Sequence, residues 1–88
     1  MDAEARLKSI MEVLDQLAED TSVPRNIRRG ATEAKNRLTK KEDALDLRIQ
    51  SAIMIMDDLA NDPNLPLHGR TQIWNIISAL ETVKTVKP

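Results

Sequence analysis

Apolar residues recur at three- and four-residue steps at the start of the chain, as Leu7, Ile10, Met11, Leu14, Leu17 and Ala18. That spacing places them on one face of a helix over about residues 3–20. Ile49, Ala52, Ile53, Met56, Leu59 and Ala60 repeat the stripe in the second half. Each stripe is followed by a short polar stretch, Thr21-Ser22-Val23 or Pro63-Asn64-Leu65, and then by a proline. Pro24 and Pro66 suit the first position of a new helix, where a missing N–H leaves no hydrogen bond unmade. The pattern predicts a second helix over about residues 24–38, with Ile27, Ala31, Ala34 and Leu38 inward and Gly30 allowing a close neighbour. It predicts a fourth over about residues 66–85, where Ile73, Ile76, Ile77, Leu80 and Val83 form a wider stripe flanked by Trp74. That width predicts a central place for the fourth helix. Between the halves lies a charged connector, Thr39-Lys40-Lys41-Glu42-Asp43, whose aspartate is placed to cap the third helix.

The two halves match at an offset of 42. Leu14, Leu17, Ala18, Asp20 and Pro24 correspond to Met56, Leu59, Ala60, Asp62 and Pro66, and the correspondence runs on through Arg28 with Arg70 and Leu38 with Leu80. The expected fold is therefore all-α: a four-helix bundle made of two repeated helical hairpins, with repeat one over about residues 3–41 and repeat two over about 43–86 of one domain spanning 1–88. A chain of 88 residues buries one core, not two. The period falls in the range of HEAT-type repeats, but those arrays commonly need three or more units. Two units must close on each other or borrow surface from another chain.

Charge sharpens the picture. The four segments 2–20, 24–41, 42–62 and 63–88 carry net charges of −4, +6, −5 and +2, so acidic and basic helices alternate along the chain. Asp15 with Arg28 and Asp57 with Arg70 recur at one spacing in both repeats and are expected to be structural ion pairs. Exposed pairs contribute about 0–1 kcal/mol each, so such a pattern specifies neighbours more than it stabilises them. The whole chain, at −1, has no general attraction for nucleic acid or for anionic membranes.

The candidate chemistry is sparse. No cysteine is present, which excludes disulfides and thiolate nucleophiles. His68, the only histidine, has a single carboxylate, Asp62, close in sequence, too few ligands for a metal site. Asp57-Asp58 with Asp15 and Glu12 lack the Glu-x-x-His motif of di-iron bundles. Neither glycine, Gly30 or Gly69, belongs to a phosphate-binding loop. No catalytic residue, cofactor or metal is expected. Arg25, Arg28, Arg29 and Lys35 on the second helix form the one basic concentration that could contact phosphates, though without an aromatic stacking platform beside it. Met54, Ile55 and Trp74 are the candidate partner interface: methionine-rich surfaces adapt to partners, and Ile55 falls off the main stripe together with its repeat counterpart Val13.

Val23-Pro24-Arg25-Asn26-Ile27-Arg28-Arg29, and the segment from Asn64-Leu65-Pro66-Leu67-His68-Gly69-Arg70 to Trp74-Asn75-Ile76 with Leu80-Glu81 beyond it, resemble an archaeal family of uncharacterised proteins, number 0147 in the UPF series. The resemblance spans nearly the whole chain. It implies a helical archaeal protein and supplies no activity for any residue. The expected role is that of a small, cytoplasmic, non-catalytic interaction or scaffold protein whose partner is another protein or a second copy of itself, with no membrane role. The alternative is an RNA- or DNA-associated accessory protein using the basic second helix.

Overall fold

The computed structural model describes residues 3–85, with side chains described through residue 83. Four helices follow one another: α1 (Ala3–Ala18), α2 (Arg25–Leu38), α3 (Leu45–Ala60) and α4 (Leu67–Thr85). The second repeat, expected to run to residue 86, is thus described through Thr85. The helices stand in a square, α1 against α2 and α4, and α3 against α2 and α4, with neither diagonal pair in contact. An α-solenoid would set like helices of the two hairpins side by side, α1 by α3 and α2 by α4. The chain instead closes on itself as an up-and-down bundle. α4 is consequently not central; it occupies a corner as the other three do, and its wide stripe leaves apolar surface outside the core.

The predicted stripes make the core. Leu7, Leu14 and Leu17 from α1, Ile27, Ala31, Ala34 and Leu38 from α2, Ile49, Ala52 and Met56 from α3, and Ile73, Ile76, Leu80 and Val83 from α4 are all buried. Small residues on α2 bring α3 close. A Cβ added to Gly30 would lie 2.5 Å from Leu59 Cδ1, so glycine is what allows this approach. Val23 and Leu65, at matching places in the two hairpin turns, plug the same end of the core.

All three connections share one conformation. In the first, Asp20 N–H donates to the Leu17 carbonyl, Val23 N–H to Asp20 and Arg28 N–H to Pro24; the second repeats this with Lys40 to Arg37, Asp43 to Lys40 and Arg48 to Ala44; the third with Asp62 to Leu59, Leu65 to Asp62 and Arg70 to Pro66. The charged connector between the hairpins is therefore a third copy of the hairpin turn. It also shows why α1 stops at Ala18 rather than residue 20: the Asp20 carboxylate takes the Ser22 N–H at 2.9 Å and bends the chain. Pro24 and Ala44 are the residues just outside α2 and α3, with extended ψ of 156° and 150°. Asp43 does not cap α3, because the turn sets it one residue too early, where its carboxylate lies 3.8 Å from Lys40 Nζ.

Each turn is followed at the same place by an arginine, and after the second and third turns it reaches back to the end of the preceding helix. Arg48 Nη1 donates to the Leu38 carbonyl at 2.8 Å, and Arg70 Nε to the Ala60 carbonyl at 3.3 Å, both across ten residues. Helix ends leave carbonyls without partners, and a guanidinium there satisfies one while complementing the negative end of the helix dipole. Arg28 stands ten residues after Ala18, with its Nε buried and unpartnered.

Candidate functional site

The two hairpin turns meet side by side in a cross-connected clasp. His68 Nε2 at the start of α4 lies 2.9 Å from Ser22 Oγ and 3.5 Å from Asp20 in the first turn. Asn26 at the start of α2 donates from Nδ2 to Asp62 in the other turn at 2.5 Å. Asn26 and His68 are repeat counterparts, as are Asp20 and Asp62, so each hairpin reaches for the other's aspartate. The Ser22 hydroxyl and then its N–H hold Asp20 below the usual carboxylate range, with His68 adding less. Asp62 is held low by the Asn64 N–H first and the Asn26 amide second.

Serine, histidine and aspartate within reach of one another invite comparison with a catalytic triad, and the geometry does not fit one. A relay needs the carboxylate on one ring nitrogen and the hydroxyl on the other. Here Asp20 and Ser22 both face Nε2, and Ser22 Oγ donates directly to Asp20 at 2.5 Å. The cluster lies on the exposed surface. Among the described residues no group of three or more histidines, cysteines or carboxylates could hold a metal.

The structure separates the four basic candidates on α2. Lys35 is occupied by Asp15 at 2.8 Å, and Arg28 is half-buried with its Nε enclosed. Only Arg25 and Arg29 stand free on the surface, short of a phosphate-tracking row. The expected ion pairs are also replaced: Asp15 binds Lys35 rather than Arg28, and Arg70 turns to the Ala60 and Asp62 carbonyls, away from Asp57. In the second repeat the arginine serves a helix end and not a carboxylate partner.

Apolar surface is the stronger feature. The exposed large hydrophobic side chains of the described residues are Leu47 (52% exposed), Met54 (60%), Leu67 (73%) and Trp74 (53%), all in the second hairpin. Ile55 is half-buried against the core. With Met54, Ser51, Asp58 and Arg37 it lines an open groove of about 250 Å³ between α2 and α3. A second cleft, of about 350 Å³, lies between α1 and α4 and is bordered by Arg6, Ser9, Ile10, Ala79, Thr82 and Val83. Leu47 and Leu67 were not among the expected interface residues. The signal for them lies in the repeat, at positions where the halves differ. Subtracting 42 gives Ala5, Glu12, Arg25 and Thr32, which are exposed too. The same four places on one scaffold thus carry small or polar side chains in the first hairpin and large apolar ones in the second.

The sequence pattern of the uncharacterised protein family UPF0147 matches residues 1–83. The chain belongs to the UPF0147 family. A UPF0147 protein of Methanocaldococcus jannaschii is 50% identical over 78 residues, covering 89% of this chain and 84% of that one. Another, from Saccharolobus islandicus, is 47% identical over 83 residues, covering 94% and 93%. The crystal structure of a UPF0147 protein from Thermoplasma acidophilum superposes with a TM-score of 0.88 at 40% identity, covering 91% of this chain and 94% of its own. A second crystal structure, of the unknown-function protein MMP1188, gives 0.86 at 49% identity, covering 94% and 91%. The archaeal family and the four-helix fold expected from the sequence are both shown by these matches. No helix of the described residues is long and apolar enough to cross a membrane.

Proposed function

We propose that this UPF0147 protein is a non-catalytic interaction module whose docking surface is the outer face of the second hairpin. The observation that carries the reading is the contrast between the two halves: Leu47, Met54, Leu67 and Trp74 are exposed where Ala5, Glu12, Arg25 and Thr32 serve the same scaffold. A helix in this bundle does not need apolar side chains at those places, since the first hairpin folds without them. Trp74 is central to the argument because tryptophan is enriched at binding hot spots and charge is depleted at interface cores. From Thr71 to Leu80 the fourth helix carries no charged residue.

The test is site-specific photo-crosslinking in extracts of the cells that make the protein. A diazirine side chain is placed in turn at positions 47, 54, 67 and 74, and at 5, 12, 25 and 32 as scaffold-matched controls. Discrete adducts of one size, formed from the second set of helices only, are expected. Equal or absent labelling from both hairpins would overturn the proposal.

A further inference from the structure

Every helix carries an arginine at its fourth residue: Arg6, Arg28, Arg48 and Arg70. Arg6 and Arg48 match at the offset of 42, so the corner where α1 meets α4 is built like the corner where α3 meets α2. Ser9 lines the cleft at the first corner, and its counterpart Ser51 lines the groove at the second. What the arginine finds there differs. Arg48 donates to the carbonyl of Leu38, the last residue of α2, and lies 3.5 Å from Glu4. Leu80 is the counterpart of Leu38, but α4 runs on to Thr85, so the Leu80 carbonyl is taken inside the helix. Asp46 is the counterpart of Glu4, and its carboxylate accepts the Leu47 N–H. Arg6 therefore lacks both acceptors. It is half-buried, its Nε is enclosed without a hydrogen bond, and among the described residues no carboxylate pairs with it.

The space beside Arg6 is apolar. Arg37 borders the α2–α3 groove of about 250 Å³, whereas Ala79 stands in its place between α1 and α4, where the cleft holds about 350 Å³. Ile10, Ala79 and Val83 line that cleft with Arg6. A further recess of about 80 Å³ shares Ile10 and Ala79 and carries the gap on to Val13 and Ile76. From Arg6 to Val13 the helix rises about 10 Å, with the cation at one end and aliphatic side chains along the rest. Small-molecule sites of about 300–1,000 Å³ share this make-up, an apolar lining with a few polar groups. Leu47, Met54, Leu67 and Trp74 line neither recess, so no exposed large apolar side chain extends the cleft into a face for a protein partner. Its walls are helices whose backbone groups are paired internally, so an extended peptide would find no strand edge for its own N–H and C=O groups.

We infer that the α1–α4 cleft binds a short aliphatic carboxylate, its chain against Ile10, Ala79 and Val83 and its head on the Arg6 guanidinium. A guanidinium offers a carboxylate two parallel N–H groups. Arg48 displays the preference of this place in the scaffold, taking a carbonyl and a carboxylate. The Ser9 hydroxyl, one turn along α1 and lining the same cleft, adds a donor for the head. An aliphatic chain makes no demand for hydrogen bonds and removes the apolar lining from water.

The experiment titrates the full-length protein with octanoate, followed by amide and methyl NMR. Octanol and octyl phosphate are titrated beside it, and Arg6→Met and Ala79→Arg beside the wild type. Both variants should fold, since methionine keeps the stem's bulk and the scaffold already carries Arg37 at the place matching Ala79. Saturable one-to-one shifts confined to residues 6–13 and 75–83 are expected, weakened at least tenfold in Arg6→Met and lost in Ala79→Arg, where the longer side chain fills the cleft. Octanol should bind at least tenfold more weakly than octanoate. Octanol binding as well as octanoate, or full affinity in Arg6→Met or Ala79→Arg, would overturn the inference. Octyl phosphate binding at least tenfold tighter than octanoate would overturn the carboxylate in favour of a phosphate head. Shifts that do not saturate, or that fall elsewhere on the protein, would overturn the site itself.

Discussion

Replacing Arg48 should cost more than replacing any other charged residue, and the structure sets the amount. Arg48 is 8% exposed, and its Nη1 gives the Leu38 carbonyl a bond of 2.8 Å. A hydrogen bond involving a charged group contributes about 1.5–3 kcal/mol, and a buried acceptor left without a partner costs about 1–3 kcal/mol by itself. The contact with Glu4 adds little, since at 3.5 Å from a mostly exposed carboxylate it is worth about 0–1 kcal/mol. Arg48→Ala also removes the aliphatic stem, so a total loss near 3 kcal/mol is expected. In a domain of this size each kcal/mol lowers Tm by about 4–8 °C, which makes the shift roughly 12–24 °C. Arg48→Met separates the two contributions by keeping the stem's bulk and deleting the donor; it should lose about 2 kcal/mol. Glu4→Ala should lose less than about 1 kcal/mol. Urea unfolding followed by circular dichroism at pH 7 measures all three. Buried ionic groups can be replaced by apolar ones without loss, so Arg48→Met at wild-type stability would refute the claim that the guanidinium holds the end of α2.

Three further outcomes follow from the same contacts. Leu80→Ala removes a fully buried side chain at the α4 core and should lower stability by about 2–5 kcal/mol in the same urea assay. Asp15→Asn breaks an ion pair of two half-exposed groups, so its cost should be under about 1 kcal/mol and should vanish in 0.5 M salt. Asp20 and Asp62 are held below the usual carboxylate value in the folded state. Their stabilisation is therefore present above the unfolded value near 3.9 and is lost as pH falls through it toward the lower folded values. The urea midpoint should drop over that window, and less steeply in D20N/D62N; identical acid profiles would show that the clasp does not couple to folding.

The bundle was legible in the sequence because a helix facing a core must repeat its apolar residues every three or four positions, and Leu7 through Leu17 and Ile49 through Leu59 do so without interruption. The neighbours were less legible. Stripes state which face is buried, not which helix lies against it, so the wide α4 stripe suggested a central helix where the structure has a corner and an exposed Trp74. The arginines misled for a related reason. Arg28 and Arg70 recur with Asp15 and Asp57 at one spacing, and a carboxylate is the obvious partner for a cation, yet a turn of fixed shape aims Arg70 at backbone carbonyls, which no sequence pattern displays. Arg48 follows the connector by the same interval, but at an offset of 42 it matches Arg6, so the repeat does not align it with Arg28 and Arg70. Of the docking face, Met54 and Trp74 were legible as surplus apolar residues. Leu47 and Leu67 emerge only when the halves are compared where they differ.

The claim that the second hairpin's outer face serves a partner rather than the fold is tested most directly by giving it the first hairpin's residues. The L47A/M54E/L67R/W74T protein should unfold in urea, by circular dichroism, within about 2 kcal/mol of wild type, as expected for surface positions. Four such truncations in a core would cost on the order of 10 kcal/mol. An unfolded variant, or a loss beyond about 4 kcal/mol, would place these side chains in the service of the fold and contradict the account.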